Sequence, residues 1–381
     1  MKSWIRLTIC ILLLMQTGCW SKVEVDEQIF VLALYIDKGE KPGTVEVTIS
    51  SPLPNRMMSG QQAGSGGGGK PYAMVSNTDL TLSDTIRTIQ RDLTRRLNFG
   101  HTREIVVGRE YAEEGIGELL DWIDKEPSFH ISTFLTTAEG RAREIAGLLP
   151  LYEQMPAEVL RKMTMQHTLF TTKVKECLIS DYSKVGFATN YMSISVKRMP
   201  SENERPEKWG GIHGAALYQG DKMKGSLPAE EARVLAWATG RLGKQVFTVT
   251  WDDGQSYASV MLKDMEAVRR VRMTKQGPQF SIKLKADGSI VNQKDAKRRN
   301  DTELSRLVTD LLNKKVVHEL ESALDMTKES EADVLKLGLL LEWKYPAYWK
   351  GVRDNWPKEY KHSRPVRIKA QVDLTNITNQ P

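Results

Sequence analysis

The sequence is poor in the residues from which reactive or cross-linked proteins are built. It holds three cysteines in 381 residues, and Cys10 and Cys19 both fall near its start. Cys177 is alone in the remainder, so no internal disulfide can form there and burial of a core must hold that part together. Histidine is sparse as well: His101, His130, His167, His213, His318 and His362 stand at no metal-ligand spacing. His318-Glu319 opens like a zinc-binding helix, but Ser322 occupies the position of the second ligand. There is no G-x-S-x-G elbow and no C-x-x-C pair. Gly64 to Lys70 fits the phosphate-binding pattern G-x-x-x-x-G-K, yet Pro71 stands where the magnesium-binding hydroxyl belongs. No catalytic, cofactor-binding or metal-ligating residue is therefore assigned, and the chain is expected to be no enzyme and to carry no cofactor.

Long apolar runs are lacking too. Beyond the N-terminus the longest candidate, Val334 to Leu341, is interrupted by Lys336. It falls far short of the roughly 18–20 residues that cross a bilayer. Nor does one sign of charge dominate: 54 basic residues face 48 acidic ones, for a net charge of +6. The tightest basic cluster, Lys294, Lys297, Arg298 and Arg299, encloses Asp295 and has no interleaved aromatics. It reads as a solvated turn or a face toward anionic headgroups, and no nucleic-acid partner is expected.

What is present begins at the N-terminus. Lys2 and Arg6 precede an apolar run from Leu7 to Met15, and the small residues Thr17 and Gly18 lead to Cys19. This is the layout of a secretory signal, expected over residues 1–18. A cysteine directly after a small residue is the site where bacterial lipoproteins receive their lipid, so Cys19 is the candidate attachment point. Gln16 stands where Leu, Val or Ile is usual, which leaves open an ordinary signal with an unrelated cysteine. Two or three acyl chains, at about 0.8 kcal/mol per buried methylene, would anchor the mature chain stably.

The remainder has the composition of a folded protein, 40% hydrophobic and 27% charged. Residues 19–200 read as an N-terminal α/β region. Ile29 to Ile36 is nearly continuously apolar, Val45, Val47 and Ile49 alternate with polar residues, and Ile105 to Val107 forms a short apolar run. Helices are expected over Leu80–Leu97, Ile116–Ile123, Ala138–Leu149 and Pro156–Met165, with a strand over His130–Thr137. A Gly-rich loop, 59–70, interrupts this region and cannot pack a core. The polar, Pro-containing stretch 201–208 reads as a linker. A C-terminal α+β region is expected over 209–376, with a division near 265–275. Its strands run through Gln245–Trp251, Tyr257–Leu262, Phe280–Leu284 and Val366–Leu374, and Asp287-Gly288 reads as a hairpin turn. A long helix is expected over Asp301–Met326 and another over Ala332–Trp343. Strands and helices without a regular βαβ rhythm point to α+β, in two to three mixed domains. Trp343, Tyr345, Tyr348, Trp349 and Trp356 crowd one stretch with Pro346 and Pro357, as either a core anchor or an aromatic docking face.

Several blocks in fixed order carry a family resemblance. They are Gly18-Cys19-Trp20, Tyr35-Ile36-Asp37-Lys38-Gly39, Asn98-Phe99-Gly100-His101, Ile105 to Gly108 and Ala112 to Ile116. Later come Gly214 to Tyr218, Gly225 with Glu230-Glu231, Trp237 with Thr239-Gly240, Lys344-Tyr345-Pro346, Tyr348-Trp349-Lys350 and Asn355-Trp356. Over nearly its whole length the chain resembles the Ger(x)C family of spore germination lipoproteins, the C subunits of nutrient germinant receptors. That resemblance implies a non-enzymatic subunit, lipid-anchored through Cys19 on the outer face of the spore inner membrane. It also implies two integral-membrane partners, one with a large soluble domain and one permease-like. A lipid-anchored solute-binding protein that captures the nutrient itself is the alternative; it requires a ligand cleft between two similar α/β lobes.

Overall fold

A computed structural model describes residues 24–57 and 70–374, together with Trp4. Cys19, the signal segment and the Gly-rich loop up to Gly69 lie outside the described residues. Fourteen strands occur among those described. In chain order they are β1 (Gln28–Phe30), β2 (Ala33–Lys38), β3 (Val45–Pro52), β4 (Tyr72–Asp79), β5 (Arg96–Asn98), β6 (Glu104–Gly108) and β7 (Phe134–Ala138). Then follow β8 (Gly186–Met199), β9 (Arg205–Gln219), β10 (Lys222–Pro228), β11 (Gln245–Trp251), β12 (Ser256–Thr274), β13 (Gly277–Lys294) and β14 (Arg367–Leu374).

Eight of them form one sheet in the order β10-β9-β8-β7-β6-β2-β3-β4. Its centre is parallel, because β2 pairs with β6, β6 with β7 and β7 with β8 in that sense, and antiparallel pairs flank it on both sides. Helices cover both faces, which is why the central strands read as unbroken apolar runs rather than alternating ones. On one face Leu34, Ile36, Ile105 and Val107 pack against the helices Leu82–Arg91 and Gly117–Lys125. On the other, Tyr35 and Val106 pack against Ala142–Ala146 and Pro156–Met165. A second sheet, β11-β12-β13-β14, lays one face on the helix Asp301–Glu329, whose Leu304, Val308, Leu312, Val316 and Leu320 are buried at helical spacing. Asn300 caps that helix by accepting from Glu303 N at 2.9 Å.

The mixed α+β architecture expected from the sequence is the one observed, but its divisions differ. Residues 201–208 are no linker. They lie at the tip of the β8–β9 hairpin, where Met199 pairs with Arg205, and β9 and β10 complete the first sheet. The reason is a shared core: Ala188, Ala215 and Leu217 of the first sheet, with Val185 just before β8, bury against the same cluster as Trp237, Phe247 and Val316. Residues 265–275 are no division either, since β12 runs through them in register with β13. The turn expected at Asp287-Gly288 lies inside β13. The real turn is Lys275-Gln276, where Thr274 Oγ1 accepts from Gln276 N and Gly277 takes a φ of +102°. Gly288 is small for a different reason, because a Cβ there would sit 2.7 Å from Leu374 and 3.0 Å from Val260.

Three expected helices are shorter than their apolar periodicity. The first ends at Arg91, and β5 follows to pair with β1. The helix at Ala142 starts four residues after Ala138 because Asp37 fixes its first turn, and the one expected from Ala332 starts at Leu337 because Asp333 fixes its first turn.

Candidate functional site

The residues that carry the family resemblance can be followed one at a time into the structure. Asp37, at the end of β2, is buried and accepts from Ala142 N at 2.7 Å and Arg143 N at 2.9 Å, closing the open N-terminus of a helix. Burial pushes its carboxyl upward, and those two amides oppose the shift. Gly108, across from it, has no room for a side chain, since a Cβ would meet Asp37 Oδ1 at 2.1 Å. Asn98 Oδ1 accepts from Gly100 N at 2.8 Å, while its amide reaches Gln28 on the neighbouring strand. Gly115 adopts a φ of +135° beside Asp221, whose carbonyl accepts from Ile116 N at 2.8 Å. At Gly214 a Cβ would lie 2.1 Å from the Leu227 carbonyl, so only glycine lets β9 and β10 pair there.

The aromatic block has the same character. Asp333 is fully buried and accepts from Leu337 N (2.9 Å), Gly338 N (2.7 Å) and Trp356 Nε1 (2.9 Å). Burial raises its pKa, and these three donors with the nearby Arg269 oppose the shift. Trp349 and Trp356 meet edge to face at 5.3 Å over Gly338, and Tyr360 donates to or accepts from Thr327 beneath them. Beyond Leu262, β12 loses β11 as its neighbour and presents an open edge. Side chains close it: Trp237 Nε1 donates to the Glu266 carbonyl, Lys344 Nζ to the Val271 carbonyl, and Met273 N donates to Tyr345 Oη. The core-anchor reading of the aromatic stretch thus describes Tyr345, Trp349 and Trp356. Trp343, 78% exposed, and Tyr348 point outward.

Concave polar chemistry gathers at one place. Glu176, Arg241, Arg269 and Lys336 converge on a cleft of about 90 Å³ where the first sheet meets the second unit. Arg241 pairs with Glu176, and Arg269 Nη1 donates to the Leu335 carbonyl at 2.7 Å. Lys336 is in left-handed backbone, its side chain makes no hydrogen bond or ion pair among the described residues, and burial lowers its pKa despite the pull of Glu176. The four residues span 160 positions of chain with no shared motif, so no spacing in the sequence could have joined them. The larger hollow, about 1170 Å³, lies elsewhere, between the segment from Glu24 to Phe30 and the strands β3 and β4. The histidines remain scattered; His101 stacks edge-on against Phe30. Among the described residues no three His, Cys, Asp or Glu side chains are placed to hold a metal ion. Cys177, buried against Lys173, carries a thiol pushed well above its usual range by burial. Within the basic cluster near 297, Arg299 pairs with Asp295 and Lys297 with Asp252 at 3.0 Å. No helix among the described residues is long and apolar enough to cross a membrane.

Fold and site together define an α+β protein built on two large sheets, whose most specific motifs serve capping, close packing and edge closure. Residues 21–192 match the spore germination protein N-terminal domain, and residues 213–378 match the C-terminal domain described as spore germination B3/GerAC like. The chain belongs to this GerAC-type family of spore germination proteins. It is similar to spore germination protein KC of Bacillus subtilis (strain 168), at 23% identity over 96% of this chain and 93% of that one. It is also similar to the putative spore germination protein YfkR of the same organism, at 23% over 87% and 85%. Spore germination protein YndF, again from B. subtilis, is 22% identical over 97% and 95%. Among solved structures, the crystal structure of the GerBC protein superposes with a TM-score of 0.57 at 16% identity, covering 90% of this chain and 97% of that one. At that identity the likeness speaks for the fold.

Proposed function

We propose that this germination protein is the lipid-anchored C-type subunit of a nutrient germinant receptor and acts without catalysing a reaction. Cys19 carries the lipid after removal of residues 1–18, and the folded part is held on the outer face of the spore inner membrane. There it assembles with two integral-membrane subunits, one bearing a large soluble domain and one permease-like. The observation that carries this reading is the pair of family matches, which cover residues 21–192 and 213–378. It is supported by the use of the motif residues as scaffold.

The alternative, direct capture of a nutrient between two similar lobes, finds less support, because the sheets differ in size, strand order and the way helices cover them. Cys19→Ala tests the anchor. The variant should fold and accumulate but leave the membrane fraction, and spores carrying it should lose their response to nutrients. Full membrane retention together with a normal nutrient response would refute the proposal.

A further inference from the structure

The second sheet has one face on its helix and one face open, and the strand register shows what the open face displays. Val268 pairs with Lys283 and Lys283 with Lys369; Arg270 pairs with Ser281 and Ser281 with Arg367; Arg272 pairs with Gln279; Glu266 pairs with Lys285. Residues paired in register share a face, as do residues two apart along a strand. Arg270, Arg272, Lys283, Lys285, Arg367 and Lys369 therefore lie on one face, and all six are exposed. None of the six makes an ion pair among the described residues, and Glu266 is the single carboxylate within these rows. Lys283 and Lys369 stand side by side, an arrangement of like charges that weakens a sheet. Beyond this patch the row Lys263, Asp287 and Asp373 carries two carboxylates to one cation.

We infer that this open face is a docking surface for an anionic lipid bilayer, with the β12–β13 turn and Lys275 directed toward the headgroups. The inference rests on the membrane-anchored reading above. Three features favour lipid over other polyanions. The cations are spread over three neighbouring strands, about 5 Å apart across strands and about 7 Å apart along them, an extended array rather than a pocket. No aromatic or large aliphatic anchor stands among them apart from the partly exposed Val268, whereas protein interfaces concentrate their affinity in such anchors. No stacking platform for bases is present either. A diffuse negative potential needs neither, and it acts on each cation within a Debye length of the surface. The carboxylates at the opposite end turn the patch into an orienting dipole, repelled where the cations are drawn in.

The lipid anchor and the patch can be tested apart. The full chain, processed and lipid-bearing, is mixed with vesicles of phosphatidylcholine or of phosphatidylcholine containing phosphatidylglycerol. Flotation reports the anchor, and acetylation of each lysine, read by mass spectrometry, reports the patch. Lys283, Lys285 and Lys369 should be several-fold slower to acetylate on the anionic vesicles only. Exposed lysines elsewhere, such as Lys125 and Lys175, should be unchanged, and high salt should abolish the difference.

Each cation near such a surface is worth about fivefold in partitioning. The triple change Arg270→Gln, Lys283→Gln, Lys369→Gln should therefore weaken the anionic preference by about a hundredfold, with the thermal midpoint kept or raised. Flotation on both vesicle types with equal acetylation rates would overturn the inference while leaving the anchor standing. Flotation on anionic vesicles alone, with the patch protected, would support the patch and count against the anchor.

Discussion

Glu104 is a carboxylic acid placed where an aliphatic side chain would serve, and its pH dependence is the sharpest quantitative consequence of the first sheet. It lies on β6 with no exposed surface, and its Oε1 accepts from Thr136 Oγ1 at 2.6 Å. The Tyr35 hydroxyl, buried nearby, has no hydrogen-bond partner among the described residues. Burial drives the carboxyl from 4.5 up to about 8, and the hydroxyls of Thr136 and Thr164 offset only part of that. The folded protein therefore keeps a proton on Glu104 that the unfolded chain has already released. Where the native state binds more protons, stability falls as pH rises. The loss begins near the unfolded value of 4.5, grows through neutrality and levels off above about 8. At about 1.4 kcal/mol for each pH unit, it amounts to about 5 kcal/mol in full and about 4 kcal/mol between pH 5 and pH 8. Glu104→Gln keeps the shape and cannot ionise. Urea midpoints from pH 5 to pH 9 should show the wild type weakening relative to the variant, the two meeting near pH 5. Parallel pH profiles for the two proteins would refute the reasoning.

Two other perturbations probe the aromatic corner. Gly338→Ala should destabilise by about 1–3 kcal/mol, because its Cβ would lie 2.6 Å from Trp349 and 2.7 Å from Trp356 Nε1, and near-ultraviolet circular dichroism should register the displaced indoles. Trp356→Ala should cost about 3–5 kcal/mol in chemical denaturation and leave Asp333 short of a donor, whereas the exposed Trp343→Ala should stay within about 0.5 kcal/mol of wild type.

Element types were legible in the sequence wherever a single period dominated. Gln245–Trp251 alternates in both sequence and structure, and the long helix from Asp301 repeats Leu and Val at helical spacing with a capping Asn300 before it. Boundaries failed where a distant carboxylate decided them. Nothing local to Ala142 announces that Asp37, 105 residues away, will seat the first turn, whereas Asp333 lies only four residues before Leu337 and is a local cap that the apolar periodicity overran. The linker failed for a related reason. A polar, proline-containing stretch is equally suited to joining two bodies and to forming the solvated tip of a long hairpin. What separates the two is whether the strands beyond it bury their apolar residues with the first unit or the second. β9 pairs along β8 and buries Ala216 and Tyr218 in the first sheet's core with Leu34 and Ile36, while Ala215 and Leu217 join the core around Trp237, and none of this lies within a local window. The cleft of Glu176, Arg241, Arg269 and Lys336 was illegible on the same grounds, as four ordinary charges until the chain folds.

The resemblance itself drew on the residues least able to vary without damage to the fold. Asp37, Gly108, Gly214 and Trp356 are specific because each has fixed hydrogen-bond partners or no space to give. A motif of that kind identifies a family without indicating where the protein acts. The outward faces follow the opposite logic, since at Arg270, Lys283 or Lys369 almost any polar residue would satisfy the strand. Of the six cations set there only Lys285 faces a carboxylate across the strands, Glu266, and the Lys283–Lys369 pairing works against the sheet. Their compensation has to come from outside the chain. On the proposed lipid-anchored reading, the nearest extended anion is the bilayer itself.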